Sequence, residues 1–210
     1  MAKPNRKIIF PWVSLFLVVV HVLFFIWERQ AIRMGLTPLL SDDFAFQWTR
    51  FLSDPLSQCP TLLSHTFLHA DAAHLIGNLL FFLLFGPAVE KALGSFPFFV
   101  GYLFWGAAAA ITQGSFSPFS SGLIGASGAV SGAAGAFFVL YPLKTPFLRV
   151  PAFLLVGGWF LLQIGLGYYD VQAPSLYEKS TQIGYWAHAG GFAAGALTII
   201  PFLVKSIRKV

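Results

Sequence analysis

Ser127 stands in the run Gly125-Ala126-Ser127-Gly128-Ala129-Val130-Ser131-Gly132, and His188 in Trp186-Ala187-His188-Ala189-Gly190-Gly191-Phe192-Ala193-Ala194-Gly195. A serine oxygen becomes a nucleophile when a neighbouring base takes its proton, and neutral imidazole is suited to that at ordinary pH. If Ser127 opens a helix, unpaired backbone N–H groups and the helix dipole there favour a developing oxyanion. Small residues also simply let helices pack closely, and the serine run alone favours that plainer reading. His188 weighs the other way, because an ionisable group inside an apolar span is functional by default. His188, Gly191 and Gly195 share one helical face, and Gly128, Gly132 and Gly135 offer a similar thin surface. Two such faces in contact would bring Ser127 within hydrogen-bond reach of His188.

A second group lies upstream, in His65-Thr66-Phe67-Leu68-His69 followed by His74 and Asn78. His74 and Asn78 are four residues apart, so on a helix they project from one face. Both can donate to an oxyanion. The histidine cluster also invites a metal reading. There is no H-E-x-x-H pattern, and Asp71 is the one carboxylate nearby, so no metal is expected. His65 and His69 are expected to anchor a loop.

These groups need a frame, and composition names its solvent. Of 210 residues, 57% are hydrophobic and 10% charged, too little charge for a soluble domain. The net charge of +5 falls between apolar runs, where it marks topology and lipid contact and not nucleic acid. The single cysteine, Cys59, excludes an internal disulfide.

Apolar runs predict an all-α membrane protein of six spans in one domain, at 8–27, 73–92, 96–112, 126–140, 150–168 and 186–204. The first run ends in Trp27-Glu28-Arg29 with no small-residue cleavage site, so a retained helix is expected, not a signal peptide. Lys3, Arg6, Lys7, Lys91, Lys144, Arg149, Lys205, Arg208 and Lys209 then fall on one side and nearly all acids on the other. Both termini are therefore expected to be cytoplasmic, in a multi-pass protein of a bacterial inner membrane. The fourth run is too short to span by itself, so the residues from Gly114 to Ile124 are expected to dip into the membrane as irregular chain. In this arrangement Ser127, His188, His74 and Asn78 all lie toward the outer leaflet.

Taken together, the motifs resemble the rhomboid family over about residues 60–200. The residues carrying the resemblance are His69, His74 and Asn78, then Glu90 and Gly94, then Gly125, Ser127 and Gly128, then His188, Gly191 and Gly195. The resemblance implies a six-helix bundle with a short central catalytic helix. It implies an intramembrane serine endopeptidase with a Ser127–His188 dyad, and an oxyanion site of the Ser127 amide, His74 and Asn78. Gly125, Gly128, Gly191 and Gly195 would pack the helices at that site. Its partners would be single-span membrane proteins and the bilayer, with no cofactor and no nucleic acid. The fifth span and the following loop would act as gate and cap. Many relatives carry a Trp-Arg pair where Pro60 and Thr61 stand here, and some an aromatic residue where Ser131 stands. The main alternative is a rhomboid-fold pseudoprotease that binds membrane clients without cutting them. A small transporter using Gln163 and His188 is more remote. An aspartyl protease is excluded because none of the predicted spans holds an aspartate.

Overall fold

The computed structural model describes residues 10–37, 40–117, 122–143, 151–172 and 183–207, apart from the side chains of 41, 42 and 203–207. Among these residues the fold is helical, with one isolated β-bridge between Phe46 and Leu123. The long helices are α1 (Trp12–Arg33), α5 (Ala72–Leu93), α6 (Ser95–Phe116), α8 (Ala152–Gln172) and α9 (Tyr185–Ile207). Between them lie α2 (Trp48–Ser53), α3 (Pro55–Gln58), α4 (Thr61–Ser64) and α7 (Ser127–Leu140). Four helices, α1, α5, α6 and α8, are long and apolar enough to cross a membrane, and α7 is a shorter apolar one.

Helix ends follow local chemistry that apolar runs do not report. Pro11 precedes the first turn of α1, which runs from Trp12 and continues past residue 27 to Arg33. The carboxylate of Asp71 caps α5, accepting from the His74 amide at 2.8 Å. Gly94 ends the same helix at φ +89°, a conformation that a side chain disfavours. Two sequence expectations change. Gly114 does not begin irregular chain: it is buried in the last turns of α6, because the helix continues to Phe116. The fifth span is extended by helix: α8 continues past residue 168 to Gln172, so Asp170 lies in its last turn and not in irregular chain.

α7 occupies the centre. Every residue from Gly128 to Phe137 is buried, against α5, α6, α8 and α9. Seven glycines and alanines in that stretch let the surrounding helices approach to backbone distance. A β-carbon at Gly191 of α9 would collide with the Gly128 carbonyl, and one at Gly195 with the Gly132 carbonyl. Gly135 stands in the same relation to the Phe192 carbonyl. Around this thin seam, Phe82, Phe98, Tyr102 and Trp105 fill the core, while Leu23, Leu80, Phe104 and Leu161 face outward. Outward apolar side chains suit a hydrocarbon surround.

The two ends of the bundle are tied differently. At one end Glu90, fully buried, accepts from the amides of Val13 and Ser14 and the hydroxyls of Ser14 and Ser95, at 2.7–2.9 Å. One carboxylate thus joins α5 to the starts of α1 and α6. At the other end the chain from Leu40 to Phe67 folds into short turns. Arg29 donates to the carbonyls of His69 and Ala70, both at 3.0 Å, and Glu28 accepts from the His69 amide at 3.0 Å. Leu123 and Phe46 exchange backbone hydrogen bonds of 2.8 and 3.1 Å. The Gly125 amide donates to the His65 carbonyl at 2.8 Å. Leu123 and Gly125, in the described chain leading into α7, thus find protein partners for their backbone, as burial requires. Lys3, Arg6, Lys7, Lys144, Arg149, Arg208, Lys209 and the loop before α9 lie outside the described residues.

Candidate active site

Ser127 is the first residue of α7, and its position follows from the turn before it. Gly125 has φ +114°, and a β-carbon there would lie 2.8–2.9 Å from the His74 ring. Glycine therefore serves twice, permitting the backbone conformation and admitting the imidazole. The same β-carbon would lie 3.7 Å from Asn78 Nδ2, so His74 and Asn78 flank the turn from one face of α5. Ser131, one turn into α7, donates to the Ser127 carbonyl at 2.6 Å. Its hydroxyl hydrogen is thereby spent on the local backbone.

His188 lies near the start of α9. The side-chain oxygen of Gln113, near the end of α6, accepts from the Ala187 amide at 3.0 Å and caps an otherwise unpaired helix N–H. The Trp186 indole stacks on Phe116 and donates to the Gly167 carbonyl at 3.2 Å, fixing the same turn against α6 and α8. Nδ1 of His188 meets Oε1 of Gln163 at 2.8 Å, and the Trp159 ring lies 5.8 Å from the imidazole, tilted by 31°.

Ser127, His188 and Asn78 line one cavity of about 220 Å³, which Trp159 and Ser131 also border. Asn78 is buried, and its Nδ2 makes no hydrogen bond among the described residues. An unpaired buried donor costs about 1–3 kcal/mol, so its retention calls for a use. A larger apolar groove of about 700 Å³ lies among α6, α8 and α9, lined by Phe104, Phe160 and Leu197, and holds none of these groups.

The structure gathers Ser127, His188, His74 and Asn78 at the end where α1 and α6 finish and α5, α7 and α9 begin. Gly128, Gly191 and Gly195 lie along the α7–α9 seam, and Gly125 against α5. His65 and His69 stay in the loop. His65 Nδ1 meets the Thr61 carbonyl at 2.9 Å, and burial pushes its pKa down to about 4. His69 is pushed down to about 3, first by burial and then by its histidine neighbours His21 and His74. Both rings are therefore neutral at ordinary pH. The sequence reading did not anticipate Gln113 or Trp159, and met Gln163 only as a transporter residue. A lone glutamine in an apolar span must find a polar partner, and that signal was available.

A family model for the rhomboid domain matches residues 56–205. The chain is 35% identical to rhomboid protease GluP of Bacillus subtilis over 141 residues, covering 67% of this chain and 26% of that protein. It is 33% identical to the chloroplastic rhomboid-like protein 11 of Arabidopsis thaliana over 99 residues, 47% of this chain and 35% of the other. Rhomboid-related protein 2 of Mus musculus is 28% identical over 183 residues, 78% of this chain and 59% of the relative. The chain thus spans between about a quarter and three-fifths of the length of these relatives. With its spanning helices, this makes it an integral membrane protein, and the chain belongs to the rhomboid family.

Proposed function

We propose that the protein is an intramembrane serine endopeptidase that cleaves single-span membrane proteins through a Ser127–His188 dyad. The observation that carries this reading is Asn78 Nδ2, a donor without a partner among the described residues, in the cavity that holds both Ser127 and His188. In the first step Ser127 Oγ attacks the scissile carbonyl carbon and its proton passes to His188 Nε2. The carbonyl oxygen gains the negative charge, received by the Ser127 amide, Asn78 and His74. His188 then gives its proton to the leaving amine, and water repeats the sequence to release the acyl group from Ser127. No metal or other cofactor enters these steps, and no nucleic acid is a partner.

The architecture proposed is six spans, with α7 and α9 completing the four long apolar helices. Both termini are cytoplasmic, in a bacterial inner membrane, and the cavity opens toward the outer side. The lysine and arginine distribution supports that orientation. The test is cleavage of a generic single-span substrate by purified protein in proteoliposomes. Ser127→Ala, which removes one oxygen, is expected to abolish cleavage while the protein stays folded. Undiminished cleavage by folded Ser127→Ala overturns the serine mechanism. Wild-type protein that captures the substrate and leaves it intact would be the client-binding pseudoprotease instead.

A further inference from the structure

We propose that Gln163, backed by Trp159 on the preceding turn of α8, is the positioning residue that fixes the tautomer and the aim of His188. The proposal rests on the dyad reading above and adds what orients its base. His188 has one side-chain hydrogen bond among the described residues, from Nδ1 to Gln163 Oε1 at 2.8 Å. An amide oxygen only accepts, so Nδ1 carries the hydrogen and Nε2 keeps the lone pair that must take the Ser127 proton. No carboxylate takes this place. Ser131, one turn beyond Ser127, gives its hydroxyl hydrogen to the Ser127 carbonyl and cannot donate to the imidazole while so engaged. The ring that borders the imidazole comes instead from Trp159, four residues before Gln163 and therefore on the same face of α8.

Gln163 is itself buried, at 5% exposure, so water competes poorly for its oxygen. When Nε2 receives the serine proton, the ring becomes a cation and the Nδ1–H···Oε1 bond becomes charge-assisted, hence stronger in the transition state than before it. The effect belongs in kcat and not in substrate affinity. Among the described residues, the titratable neighbour of His188 is His74, from α5. α6 meets the turn through Gln113 and contributes no charge there.

The experiment compares Gln163→Leu, Gln163→Glu, Ser127→Ala and His188→Ala in proteoliposomes, reading kcat and KM across pH. Gln163→Leu keeps the bulk and loses the acceptor, and kcat should fall about 10- to 100-fold with KM little changed; a carboxylate acceptor lost from a serine protease costs more. Gln163→Glu restores an acceptor and should recover most of kcat. Its added charge favours the imidazolium, so the acid limb of the rate profile should move to higher pH. A purely structural glutamine predicts the reverse order, since a buried glutamate is worse tolerated than a leucine. If Ser127→Ala and His188→Ala are inactive while Gln163→Leu turns over like wild type with an unchanged profile, the positioning role fails alone. If Ser127→Ala still cleaves, the dyad fails and this proposal with it. Should Gln163→Leu not fold, ¹⁵N-histidine NMR of the wild-type protein decides: hydrogen on Nδ1 of neutral His188 is expected, and hydrogen on Nε2 overturns the proposal.

Discussion

Replacing Gly191 by alanine tests the α7–α9 seam at the point where it bears on chemistry. The added methyl would collide with the Gly128 carbonyl oxygen and lie 2.8 Å from its carbon and 3.3 Å from its α-carbon. All three are backbone atoms, so no rotamer change relieves them. Carbon contacts are comfortable near 3.5–4.0 Å, so the two helices must part by about 1 Å. Such overpacking costs about 1–3 kcal/mol, offset by about 1 kcal/mol for alanine over glycine in a helix. The net loss of stability is therefore modest. The loss of activity should not be, because Gly128 adjoins Ser127 and Gly191 lies one turn from His188. Misplacing reacting groups by about 1 Å costs on the order of 10²-fold in rate. Gly165→Ala on α8 is the control, since no atom lies within 4 Å of a β-carbon there. Both variants would be unfolded by denaturant in micelles and assayed for kcat/KM on a single-span reporter. If Gly191→Ala cleaves as fast as Gly165→Ala, the seam does not set the distance between the two dyad residues.

Three further outcomes are expected. Asn78→Ala and His74→Ala should each lower kcat by up to about 10²–10³ with little change in KM, and the double variant should lose less than the sum if both serve one oxygen; a rise in KM alone would make them substrate-binding residues. Stability should depend on pH through the loop histidines, whose folded-state pKa values, about 4 for His65 and about 3 for His69, lie below the ordinary 6.5. The unfolded chain takes up protons first, so stability is full above 6.5 and is lost as pH falls from there toward 4, and a denaturation midpoint unchanged between neutral and mildly acidic pH would contradict it. Cys59, the exposed free thiol on the same side as the cavity, should react with a membrane-impermeant maleimide in intact cells, whereas labelling only after permeabilisation would reverse the orientation.

The helices were legible in the sequence because runs such as those around Leu80 and Phe104 announce apolar spans directly. Their ends were less so. Pro11 moves the start of α1 and helical continuation carries Gly114 and Asp170 into α6 and α8, none of which an apolar window registers. The short helices α2, α3 and α4 hold four to six residues each, too few for a 3.6-residue period to appear. At the cavity, residue type pointed to Ser127 and His188, and spacing put His74 and Asn78 on one face. Spacing could not say what holds the far nitrogen of the histidine. Gln163 is 25 positions away and reaches it only once α8 lies against α9.

The central position of α7 also bears on how the chain is made. At about 21 Å it is too short to cross the hydrocarbon unaided, and its Gly/Ala surface binds lipid poorly but neighbouring backbone well. As the chain leaves the ribosome, α7 has its serine but no base, because His188 is more than a helix length behind. The seam closes only when α9 arrives to cover Gly128 and Gly132. If Ser127 and His188 form the proposed dyad, a chain that lacks α9 is inert, and competence comes only with the completion of assembly.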